Sequence, residues 1–190
     1  HVLWSMSKSL VGLLVTELIQ EGAIDANALI PRYLPELATS AWADATVQQA
    51  LDMTTGVKYA ETFADPTSGV FQYLAAAGLQ PAPPGSNVAK SMAEHLPTVQ
   101  KEGEHGTAFA YKSVDTEVLG WLLQRVTGKS YATLLSERIW SRLGAQEDAY
   151  VFADANGGQS TSVGVNATLR DLGRFGEMLR ANGSFNGQQI

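Results

Sequence analysis

Cysteine is absent from this sequence of 190 residues, which excludes disulfides and thiolate–metal sites. Histidine is scarce, and His1, His95 and His105 are too scattered to suggest a shared zinc. Positive charge is also in short supply. Thirteen Lys and Arg face 19 Asp and Glu, the net charge is −6 and the pI is near 5.0. No cluster of Lys or Arg forms a stripe that could track phosphates, so nucleic acid is not an expected partner. Long apolar runs are missing as well. "MSKSLVGLLV" at 6–15 begins like a signal peptide, but Glu17 interrupts it and no small-residue cleavage site follows. It is also far short of the length a bilayer requires, so no membrane span is expected and the chain reads as soluble. Any targeting segment would lie outside this sequence, and the compartment and oligomeric state stay unassigned.

Among what is present, 45% of residues are hydrophobic and 17% charged, enough for one domain with a core over residues 1–190. Residues 5–20 have helical periodicity, with Leu10, Leu13, Leu14 and Leu18 on one face and Val11, Val15 and Ile19 on the other. A helix apolar all round is a buried central helix. Pro31 and Pro35 then restrict the chain to short turns. "TVQQALDMTTG" at 46–56 predicts a helix of two to three turns, opened by a Thr46/Gln49 capping box and closed by Gly56.

Residues 57–106 are less regular, with "QPAPPG" at 80–85 and short helical patterns in "SGVFQYLAAAGL" and "NVAKSMAEHL". Residues 113–145 predict an αα-hairpin, with Ser113 as first cap, Asp115 and Glu117 in the first helical turn, Gly128 as stop and Ser130 as second cap. A last helix runs from a Thr168 cap to Gly183. No stretch alternates strongly enough to predict a strand, so the chain reads as mainly α.

Three local patterns have plainer explanations than function. "TGKS" at 127–130 resembles the end of a phosphate-binding loop, but that motif needs glycine where Leu123 stands. "NAT" at 166–168 and "NGS" at 182–184 fit the glycosylation pattern yet read first as a helix cap and a turn. His105 reads as a turn residue, and His95 as part of a surface helix.

"SMSK" at 5–8 is different in kind. Residues three apart share a helix face, so Ser5 and Lys8 can touch. Burial disfavours the charged form of an amine, and a neutral lysine beside a hydroxyl can take its proton and make it a nucleophile. Such a lysine predicts loss of activity at low pH. Read without context, the same spacing also describes an N-cap serine followed by a solvated lysine.

Context comes from four stretches in a fixed order: "SMSK", "TVQQALDMTTGV", "GTAFAYKSVDTEVLGWLLQRVTGKSYATLLSERIWSRLGA" and "VNATLRDLGRFGEML". Together they resemble the serine β-lactamase and penicillin-binding superfamily. The likeness is greatest to the class C β-lactamase-related esterases and amidases, a group that includes the 6-aminohexanoate-dimer hydrolases. The resemblance implies the helical subdomain of the α+β serine β-lactamase/transpeptidase-like fold, with the sheet largely missing from this chain.

It also implies roles, position by position. Ser5 would be the acylated nucleophile, Lys8 its general base and Tyr111 the second-motif phenol that exchanges protons with the serine and the leaving group. Ser113, in the third place of Tyr-x-Ser, would hydrogen-bond Lys8 or substrate, and Lys112 between them would point to solvent. In the loop 56–73, alignment on Asp65 and Pro66 puts Phe63 where the dimer hydrolases use a tyrosine, with Tyr59 nearby as a second substrate-binding candidate.

The implied activity is hydrolysis of a small ester or amide through an acyl-enzyme, an ester being favoured, and it requires neither a metal nor an organic cofactor. The alternatives are a β-lactamase or D-alanyl-D-alanine peptidase, or a non-catalytic helical binding domain. No Lys-Ser/Thr-Gly third motif occurs, and His105 precedes Tyr111, out of order for a His-x-Gly variant. Only four residues precede Ser5, where the fold needs strands. The chain is therefore expected to be the helical portion of a longer enzyme, inactive by itself.

Overall fold

The computed structural model describes residues 1–81 and 89–190. Most of the proline-rich tract at 80–85 and the first residues of "NVAKSMAEHL" lie outside the described residues.

At the centre is α1 (Ser7–Gln20), whose Leu10, Val11, Leu14, Val15 and Leu18 are all buried, as a helix apolar on every side requires. It packs against α5 (Ser113–Thr127), and α5 in turn packs against α2 (Val47–Leu51). α6 (Tyr131–Leu135) runs on into a π-helical turn, Ser136–Trp140, and closes on both α1 and α5. α3 (Gly69–Ala76) and α4 (Met92–His95) pack together on the irregular side of the molecule. α7 (Leu169–Arg180) turns Phe175 and Met178 inward, together with the buried Asp171 of its first turn, and leaves Arg170, Glu177 and Arg180 exposed. Sheet among the described residues is confined to two antiparallel ribbons, β1 (Tyr150–Val151) with β2 (Val165–Asn166), and β3 (Ser184–Phe185) with β4 (Gln188–Gln189).

The local signals act where expected. Thr46 Oγ1 accepts from Gln49 N at 3.1 Å while Gln49 Oε1 accepts from Thr46 N at 2.9 Å, a complete capping box. Gly128 ends α5 at φ +67°, Ser130 caps α6, and Thr168 caps α7.

Several expectations need correction. The first helix begins at Ser7, preceded by a 3-10 turn over Trp4–Met6, so Ser5 sits in that turn and is not a cap. α2 stops at Leu51, because Met53 at φ +51° turns the chain away; Gly56 instead allows a close crossing, since a Cβ there would lie 2.0 Å from the carbonyl oxygen of Gly103.

Ser113 is the first residue of α5, and the cap position belongs to Lys112 in extended conformation. Lys112 is buried rather than solvent-facing, and its charge acts on the buried Asp115 carboxyl. Asp115 and Glu117 are likewise buried, each surrounded by donors from other segments. His95 is buried too, at the end of α4, rather than on a surface helix. His105 does serve a turn: its Nδ1 accepts from Gly56 N at 2.9 Å and its Nε2 meets Asp44 at 3.1 Å.

Candidate active site

Leu3 N donates to Val165 O at 2.8 Å, and from that anchor the chain enters the tight turn that carries Ser5. Trp4 holds φ +48°, a left-handed conformation that a bulky side chain adopts at a cost. That strain falls directly before an exposed serine.

One turn further, Lys8 Nζ lies 3.1 Å from Ser5 Oγ. It donates equally, at 3.1 Å, to the carbonyl oxygen of Ser162, and stands 5.1 Å from the centre of the Tyr111 ring. The amine is thus held by a hydroxyl, a carbonyl and an aromatic face, all oriented toward one point. A cavity of about 240 Å³ opens beside it, lined in part by Gly12, Leu51, Met53 and Thr116.

Tyr111 is 42% exposed, at the end of a strand-like approach in which Ala110 N donates to Met53 O at 2.9 Å. The structure therefore brings Ser5, Lys8 and Tyr111 together. A hydroxyl, an amine within hydrogen-bond reach of it and an accessible phenol can pass a proton to and from a reacting oxygen.

Ser113 lies elsewhere in the arrangement. Its side chain is buried beside the Tyr59 hydroxyl, and its N–H donates to Glu61 Oε1 at 2.9 Å. Lys8 finds its second partner in Ser162 instead. Tyr59 is buried with its ring edge-on to Tyr73 at 6.3 Å, and its hydroxyl faces Glu61 and Ser113 without closing an aligned hydrogen bond. Burial, reinforced by the Glu61 charge, pushes that phenol far above its ordinary pKa, so it stays protonated. Phe63 is 66% exposed and stacks edge-on against Phe71 at 6.2 Å.

Ser162 and Glu61 are the neighbours that sequence reasoning missed. The run Ser160-Thr161-Ser162 ahead of Gly164 is the one local sign, since three small hydroxyl residues and a glycine permit a close backbone approach. Nothing around Glu61 distinguishes it from a surface acid. Among the described residues no group of three or more His, Asp or Glu side chains could hold a metal ion, and no helix is long and apolar enough to cross a membrane.

Three comparisons bear on this geometry. The 6-aminohexanoate-dimer hydrolase of Paenarthrobacter ureafaciens is 38% identical over 190 residues, which are 100% of this chain and 48% of that protein. A solved structure described as "Putative 6-aminohexanoate-dimer hydrolase from Bacillus anthracis" is 34% identical with a TM-score of 0.91, covering 100% of this chain and 50% of its own. An octameric penicillin-binding protein homologue from Pyrococcus abyssi, at 17% identity, shares the fold with a TM-score of 0.74 over 97% of this chain and 45% of its own. The chain thus spans about half the length of the relatives it matches. The family model described as Beta-lactamase matches residues 1–190, and with the 6-aminohexanoate-dimer hydrolase likeness this places the chain in the beta-lactamase family.

Proposed function

We propose that the protein carrying this chain is a serine hydrolase that cleaves a small ester or amide through an acyl-enzyme. The observation that supports it best is the 3.1 Å contact between Lys8 Nζ and Ser5 Oγ, made where Lys8 also faces the Tyr111 ring. In the first step Lys8 acts as base and takes the hydroxyl proton while Ser5 Oγ bonds to the carbonyl carbon and the C=O π pair moves onto the carbonyl oxygen. As the double bond re-forms, the bond to the leaving alcohol or amine breaks, and Tyr111 gives that group a proton and recovers one from Lys8. In the second step Lys8 takes a proton from water as the water oxygen attacks the acyl carbon, the acyl–Oγ bond breaks, the acid departs, and Lys8 passes that proton to Ser5 Oγ. Of the substrate-binding candidates, Phe63 is exposed and free to meet a substrate, whereas Ser113 and Tyr59 are buried.

The name of the relative in Paenarthrobacter makes the 6-aminohexanoate dimer a natural amide to test beside a p-nitrophenyl ester. In the full-length protein, Ser5→Ala is expected to lower turnover of both by at least about a thousandfold, the scale seen when a hydrolase nucleophile is removed. Wild type trapped with the ester should gain one acyl mass on the peptide containing Ser5. Unchanged ester hydrolysis by Ser5→Ala would reject the nucleophile and favour a non-catalytic binding domain. Rapid nitrocefin turnover with little ester cleavage would move the substrate class to β-lactams.

A further inference from the structure

The segment that supplies the Ser162 carbonyl is held from behind by one buried carboxylate. Glu117, on the second turn of α5, is 3% exposed and accepts five hydrogen bonds. Its Oε1 receives Ser162 N at 3.0 Å, the Tyr73 hydroxyl at 3.1 Å and Ser160 Oγ at 3.3 Å. Its Oε2 receives Thr161 Oγ1 at 2.8 Å and Thr161 N at 3.0 Å. Two consecutive backbone amides and two side chains of residues 160–162 therefore end on a single acid. The Tyr73 hydroxyl, 2.7 Å from Ser162 Oγ, locks the same residue from a third side.

The packing is as tight as the hydrogen bonding. Three residues along α5 and on the same face, Gly120 leaves room for Thr161: a Cβ at position 120 would lie 2.3 Å from Thr161 Oγ1. Gly164 performs the same service within the loop, where a Cβ would lie 2.3 Å from Ser160 O. On its far side the loop meets the nucleophile turn, through Ser162 O to Lys8 Nζ and through Val165 N to Ser7 Oγ at 3.2 Å. The peptide segment is thus a spacer of fixed thickness between Glu117 and Lys8.

We infer that Glu117 is a positioning residue for the proposed hydrolysis, fixing the Ser162 carbonyl and through it the place of the Lys8 amine beside Ser5. This rests on Ser5 and Lys8 acting as nucleophile and base. A carboxylate accepts from every side, so the neutral amide of a Gln at 117 would have to turn its NH₂ toward donors. The loop would move to relieve that clash, and the carbonyl opposite Lys8 would move with it.

The test uses the full-length protein and p-nitrophenyl acetate, on samples whose near-ultraviolet circular dichroism matches wild type. Glu117→Gln is expected to lower kcat about tenfold to a hundredfold, the effect of displacing a catalytic group by roughly 1 Å, with KM within about threefold of wild type. In a Lys8→Ala background it is expected to cost nothing further, because groups that act through one another are not additive. If Glu117→Gln does not fold, Thr161→Val removes a single donor while keeping its volume against Gly120, and a kcat loss of about fivefold with the same dependence on Lys8 is expected.

An unchanged kcat in whichever variant folds, or an equal loss with and without Lys8, overturns the role. Ser5→Ala measured alongside keeps the two ideas apart. An active Ser5→Ala defeats the hydrolase reading itself, whereas an inactive Ser5→Ala with an indifferent Glu117→Gln defeats only the positioning role.

Discussion

Asp115 has no exposed surface, and its neighbours decide which proton state it prefers. Trp42 Nε1 donates to it at 2.8 Å and the Thr55 hydroxyl at 2.7 Å. Burial pushes its pKa from 3.8 up to about 7, with the bonds from Thr55 and Trp42 and the Lys112 charge only partly offsetting it. Between those values the folded chain keeps a proton that the unfolded chain has released. The stability Asp115 contributes is therefore complete below 3.8 and lost as pH rises through about 7. Asparagine reproduces the protonated form, donating to Thr55 and accepting from Trp42. Asp115→Asn is expected to remove this fall in stability and to unfold at higher urea than wild type at pH 8; an unaltered slope between pH 4 and 8 would disprove it. His95 acts in the opposite sense, since burial lowers its pKa from 6.5 and its contribution declines as pH drops below that value. At position 115 the sequence pointed to an acid in the first turn of a helix. That the acid is buried depends on Trp42 and Thr55, at sequence separations of 73 and 60 residues, so no local pattern could reveal it.

Elements with a cap of their own were legible in advance. The Thr46/Gln49 pair, the Ser130 cap and the Gly128 stop are chemistry between neighbours, and each appears where the sequence indicates. α7 is the clearest case. Thr168 Oγ1 accepts from Asp171 N at 3.1 Å, and Asp171 also receives Gln146 N and Glu147 N, tying the helix start to the segment that precedes β1. Thr168→Ala is expected to cost about 1 kcal/mol in urea unfolding, the usual effect of losing such a cap. A cost below about 0.3 kcal/mol would show that Asp171 holds the helix end by itself. Elements shaped by their surroundings were not legible. The length of α2 is set by Met53 at positive φ, the π-helical turn at Ser136–Trp140 has no sequence signature, and β1 and β2 are too short to alternate.

Across the whole molecule, family membership was legible because four stretches resemble one family in one order, whereas composition alone reached only a mainly helical domain. Ser5, Lys8 and Tyr111 could be named from motifs. Ser162 could not, because a backbone carbonyl leaves no trace in a sequence and its position depends on Glu117 and Gly120. The bond from Lys8 to Ser162 spans 154 residues, while the Lys8 to Ser5 contact spans three. Helices with local caps can form early in refolding, but closing so long a loop comes late. After dilution from urea, the full-length protein should regain its helical circular dichroism before it can be acylated at Ser5. Simultaneous recovery of the two signals would contradict this order. A newly made chain would then pass through a stage in which the serine is present and the amine already beside it, yet the arrangement proposed for catalysis is unfinished. On the proposed function, the distance along the chain would act as a safeguard, keeping the Ser5 hydroxyl idle until the molecule around it is whole.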